Sequence, residues 1–147
     1  MDVYDVKKLE EGAKKLSIKD IYSAEDIGKF ACENMLKNQV FNTDSSRGPI
    51  KFLDKDRRIV TNQENQVVQD VLKAIHPSAK SVVDEERHRL ESIAEDEIDW
   101  KCIYNRMREP YDMVGSIKNG SDGVKNAVFK QARTSLRKQV SVPDENE

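Results

Sequence analysis

The stretch "NQVVQDVLKAIHPSAKSVVDEERHRL", residues 65–90, decides the fold. Its apolar residues recur at helical steps, and a histidine–proline pair interrupts them. Val67, Val68, Val71, Leu72 and Ile75 predict a helix over 63–75, for which Asn62 is a suitable cap. Proline disfavours the helical region in the residue before it, so His76–Pro77 predicts a stop. Ser78 then opens the longest helix of the chain, over about 79–108, which Glu109–Pro110 ends.

Working outward, Val3, Val6, Leu9, Ala13 and Leu16 predict a first helix over 2–16. Ser23, with Asp26 three residues on, resembles a capping box and starts a second helix through "AEDIGKFACENMLKNQVF", residues 24–41. "NTDSSRGP", 42–49, is a loop by composition. In "IKFLDKDRRIVT", 50–61, Ile50 and Phe52 alternate, Asp54–Asp56 turn the chain and Ile59–Thr61 return. That pattern predicts a short β-hairpin, with an irregular basic loop as the other reading. "MVGSIKNGSDG", 113–123, reads as a loop, after which Ser121 or Asp122 caps a final helix to about residue 139. The expected fold is mainly α: an irregular bundle of about five helices with a short β-hairpin near 50–61. Residues 1–140 form a single helical domain and 141–147 a polar tail.

Hydrophobic residues are 37% of the 147 and charged residues 35%, enough for one modest core. With 25 basic against 27 acidic residues, no global charge argues for nucleic acid, but the charge is segregated. Residues 84–100, "DEERHRLESIAEDEIDW", carry eight carboxylates against Arg87 and Arg89. Residues 122–140 carry Lys125, Lys130, Arg133, Arg137 and Lys138 against Asp122. Two cysteines and two histidines fall short of a structural zinc site's usual spaced ligands. "MDVYDVKKLEEG" lacks an apolar signal-peptide core, and no apolar run approaches the ~20 residues of a membrane span. The expectation is a cytoplasmic protein with no membrane contact.

Glu85 and His88 have the Glu-x-x-His spacing of di-metal bundles. On a wheel of 100° per residue, His88 falls about 160° from Leu90, on the polar side. A solvated acidic face is therefore expected, with no metal and no cofactor. The same wheel places Glu86 and Glu97 inside the stripe of Val83, Leu90, Ile93, Ala94, Trp100 and Tyr104. Three readings of Glu97 stay open: a surface pair with Lys101, a polar handle in a partner-binding groove flanked by Trp100, Tyr104 and Met107, or a general acid. Glu86 shares that stripe and is carried as a partner-binding candidate.

The last helix sets Val124, Val128, Ala132 and Leu136 on one ridge and Lys130, Arg133 and Arg137 on another stripe. That basic stripe suits an acidic protein, nucleic-acid phosphates or solvent alone, and no aromatic lies among its cations to stack on bases. "GSIKNGSD", 115–122, has Ser121 and Asp122 where a phosphate loop needs lysine and a hydroxyl. A G-x-S-x-G elbow is absent. The expected function is a non-enzymatic protein-interaction or assembly component, of the kind a virus or phage encodes as an accessory or structural protein. It would dock a protein partner or a second copy through the acidic long helix and the basic final helix. The alternative is non-specific nucleic-acid binding by the final helix.

Overall fold

The computed structural model describes residues 1–42, 49–62, 66–93 and 100–136, with the backbone alone at Trp100. Five α-helices and a small antiparallel sheet make up the described fold. It is mainly α with a hairpin at the expected place.

The first helix, α1 (Val6–Ala13), is shorter than the predicted 2–16 because Asp5 caps it, its carboxylate accepting from the Lys7 amide. The residues ahead of it run extended instead. Val3 bridges Leu53, and the Tyr4 amide donates to the Leu53 carbonyl at 2.9 Å. A 3₁₀ turn (Ile18–Ile21) follows, held by the Asp20 carboxylate, which accepts from the Ser17 amide and hydroxyl. Helix α2 (Ala24–Ala31) starts at Ser23 as predicted, the hydroxyl accepting from the Asp26 amide at 3.1 Å. It widens into a π-helical turn (Cys32–Leu36) and stops.

The stop corrects the predicted helix over 24–41. Asn38 takes a left-handed φ of 69°, which asparagine tolerates better than most residues. Val40–Asn42 then becomes strand β1. It pairs with β2 (Ile50–Leu53), and β2 with β3 (Ile59–Thr61), in the order β1-β2-β3. Phe52 faces Val40 on one side and Val60 on the other, and the Tyr4 ring lies 4.7 Å from its own. The β2–β3 turn is set by Asp54, whose carboxylate accepts from the Asp56 and Arg58 amides, with Arg57 left-handed between them.

The proline rule fails twice. Helix α3 runs Gln66–Ile93 straight through Pro77, and α4 runs Trp100–Asn119 through Pro110. Val68, Leu72, Ile75, Ala79 and Val83 are all buried in one continuous stripe that spans Pro77. That burial outweighs the roughly 3 kcal/mol a mid-helix proline costs. Pro77 is itself exposed, as is Lys73 four residues back, so the proline ring takes no place in the core. The predicted single helix over 79–108 is two: α3 ends at Ile93, α4 begins at Trp100, and the two pack side by side. The predicted loop at 113–123 is largely the second half of α4. Helix α5 (Asp122–Ser135) follows Gly120, whose φ of 61° makes the corner, and begins after Ser121.

The core joins α1, α2, α3 and α5 around Leu9, Ile27, Leu36, Ile75 and Val128. Two of its helix contacts are backbone to backbone. A Cβ at Gly12 would lie 2.1 Å from the Asn34 carbonyl oxygen, and one at Gly28 would lie 2.8 Å from that of Ala127. Two buried amides tie elements together. Gln39 accepts from the Asp5 amide and donates to the Met35 carbonyl, and Asn42 donates to the Arg133 carbonyl. Gly12→Ala should therefore lower the urea-unfolding free energy by about 3 kcal/mol, the upper range for overpacking. Gly115→Ala, with open space around it in α4, should instead raise it by up to about 1 kcal/mol. Equal effects of the two substitutions would contradict the close α1 contact.

Candidate functional site

The long pair α3 and α4 carries three of the five exposed large hydrophobic side chains of the described residues, Ile93, Tyr104 and Tyr111. Arg87 Nη1 lies 3.2 Å from the Tyr111 hydroxyl, and Glu86 feels the charge of Arg106, so the two helices lie side by side at this level. Along α3 the stripe is closed as far as Leu90; along α4 it resumes at Met107. Between those two positions no described side chain is buried. Ile93 is 62% exposed and Tyr104 66%. The described end of this hairpin therefore presents an aliphatic and an aromatic side chain to solvent. Solvent-facing residues of that size mark contact surfaces when they cluster.

Each sequence candidate now has a place. Glu86 is part-buried and held by Arg89, whose guanidinium Nε donates to one carboxylate oxygen at 3.0 Å while Nη2 donates to the other. These hydrogen bonds from Arg89 hold the Glu86 carboxyl below its ordinary value. Glu86 is thus a structural ion-pair member with its charge already answered. Met107 is 2% exposed and belongs to the core, which corrects its place in a partner-binding groove. The wheel carried one helical phase across the junction of two helices, and so set Met107 beside the wrong neighbours. Tyr104 is exposed. Glu97 and the Trp100 side chain lie outside the described residues. His88 is solvent-facing, its Nδ1 3.9 Å from Glu91, on the face its phase predicts. Among the described residues, no group of three His, Cys, Asp or Glu side chains comes together as a metal site.

On α5, Lys130 is exposed and Arg133 part-buried, and Arg137 lies outside the described residues. Lys130 and Arg133 line a shallow groove with Asn126, Phe129 and Thr134. The Arg133 guanidinium carbon is 5.2 Å from the Phe129 ring centroid, a cation–π distance. This corrects the expectation that no aromatic stands among these cations. Arg133 already occupies the ring, however, so a stacking base would have to displace it.

Sequence reasoning missed a further feature. A cleft of about 250 Å³ opens between α3 and α4, lined by His76, Lys80 and Val83 from one helix and Tyr111, Val114 and Lys118 from the other. A helix stop at His76–Pro77 gives His76 no face. The signal was the spacing 76, 80, 83, which is one helix flank once α3 is allowed to continue. Among the described residues no helix is long and apolar enough to cross a membrane. No family model, curated protein or solved structure matches this chain.

The two cysteines differ sharply. Cys32 is buried where α2 meets the end of α5, and burial pushes its thiol up to about 12 although the Ser135 hydroxyl opposes the shift. Cys102 is exposed near the start of α4. Thiolate is the reactive form, so Cys32 should stay inert in the native protein. Iodoacetamide at pH 8 should modify Cys102 alone, and both cysteines once urea unfolds the chain, as mass spectrometry of the digest would read. Native modification of Cys32 at a similar rate would contradict its burial.

Proposed function

We propose that this chain is a non-enzymatic interaction or assembly component that docks through the α3–α4 hairpin. The observation that supports this best is the exposure of Ile93 and Tyr104 on a hairpin end where no described side chain from Glu91 to Arg106 is buried. Of the described apolar side chains here only Ile103 packs against the core, half-buried, so this end of the helix pair gains little stability from its length. A binding role gives that length a use. The occupant in this reading is a protein partner or a second copy of the chain. Small size and a charged, motif-poor composition are what support a virus- or phage-encoded accessory or structural component, working in the cytoplasm of its host.

Each apolar side chain buried at an interface contributes about 1.5–3 kcal/mol. Ile93→Ser with Tyr104→Ser should therefore weaken association by about a hundredfold or more. Sedimentation equilibrium of the purified chain, and co-purification from its native source, would measure this, with circular dichroism confirming an intact fold. A chain that stays monomeric at all concentrations and retains no partner would sink the reading.

The α5 groove favours a second reading, non-specific binding of nucleic acid by Lys130 and Arg133. Phosphate contacts release counterions, so each one adds close to −0.9 to the slope of log affinity against log salt on duplex DNA. Changing both residues to alanine should flatten that slope by about 1.5–2 units. Absence of binding to a random oligonucleotide at low salt would remove this reading.

A further inference from the structure

The α3–α4 cleft joins two chemistries. Its floor is aliphatic: Val83 is 1% exposed, and Val114 packs against the core from the opposite helix. Its rim is cationic. Lys80 and Lys118 are both exposed, one on each helix, and His76 lies a turn before Lys80. Arg87 stands at the Tyr111 wall, its Nη1 donating to the Tyr111 hydroxyl and its Nε 3.8 Å from Glu91. Asp84 is the acid of the lining. The volume is below the ~300 Å³ at which pockets for drug-sized molecules begin. It suits a single bulky side chain with charged neighbours outside the cleft. An aliphatic floor of two valines gives a phosphate backbone nothing to pack against, whereas it fits an apolar side chain.

We propose that this cleft is the docking site for an acidic peptide segment of a protein partner. One leucine- or phenylalanine-sized side chain seats between Val83 and Val114, and carboxylates on either side of it meet Lys80 and Lys118. The apolar anchor supplies affinity, and the two lysines, one per helix, set the segment's position across the groove. The assignment rests on the interaction reading above and names the partner's chemistry.

The test is fluorescence anisotropy on the full chain. The probe is a fluorescein-labelled synthetic heptapeptide with a central leucine and acidic residues on both sides. Saturable binding is expected. It should weaken about tenfold or more when serine replaces the leucine, and by a similar factor in the variant K80E/K118E. Both lysines are exposed, so the fold should survive, and circular dichroism checks it. Val114→Phe, which fills the cleft without altering its charge, should weaken the probe as well and serves if the charge variant misfolds. Equal binding of the leucine and serine probes would reduce the cleft to charge attraction and overturn the assignment. So would unchanged affinity in K80E/K118E, or displacement of the probe by a random oligonucleotide at lower concentration than by unlabelled peptide. If the probe does not bind while I93S/Y104S still abolishes association, the interaction reading stands and the cleft assignment falls. If K80E/K118E instead dissociates a dimer of the chain and the probe has no effect, the occupant is a second copy, which also overturns it.

Discussion

Helix α5 can lie against α2 only because position 28 has no Cβ. The Ala127 carbonyl comes so near the Gly28 backbone that an added carbon would sit 2.8 Å from its oxygen. Such a contact lets flanking side chains interdigitate at short range, where dispersion is strongest. It brings Val124, Val128 and Ala132 into the core beside Ile27 and Ala31. It also fixes where α5 ends, and the end of α5 holds β1: the Asn42 side chain donates to the Arg133 carbonyl and its amide to the Leu136 carbonyl. The Phe129–Arg133 groove faces outward as a consequence of the same docking. Gly12 does the equivalent for α1 against the π-helical turn.

Much of this was legible where the chemistry is local. Ser23 caps α2, Asn62 accepts from the Val67 amide at 3.0 Å near the start of α3, and Asp54 turns the hairpin. These are short-range effects of side chains on neighbouring amides, and a sequence displays them directly. The differences share one cause: a tertiary stripe overrides a local rule. Pro77 and Pro110 are poor helix residues, but the buried series from Val68 to Val83 runs past the first of them without a break in phase. Val40 and Phe41 continue a helical pattern just as well as they start a strand. What decides is pairing with Phe52 and Lys51 of β2, further along the chain. Met107 is displaced from its expected face because nothing in the sequence between Ile93 and Trp100, which holds no glycine or proline, announces a second helix.

The acidic character of the long helix is weaker in three dimensions than in the sequence. Within the described part of α3, Arg89 engages Glu86, and Arg87 and His88 both approach Glu91. Exposed pairs of this kind contribute little to stability, but they do dampen the field a partner would sense. The cationic groups at the α3–α4 cleft and along α5 lie on different helices. Charge on this molecule is therefore a matter of which helix flank is presented, and the candidate residues divide accordingly. Tyr104 and Ile93 offer apolar surface, Lys80 and Lys118 offer positive charge beside an aliphatic floor, and Glu86 offers neither.

Strand β1 forms the outer edge of the sheet, and all three of its residues are buried. Cover for it comes from α5, which lies far downstream of it in the sequence. The outward-pointing Asn42 amide of that edge donates to the Leu136 carbonyl at 2.8 Å. An uncovered apolar edge is a template for another chain. The sheet is therefore built from neighbouring segments, while its exposed edge is closed by a helix distant in sequence, so loosening α5 would open that edge to another chain.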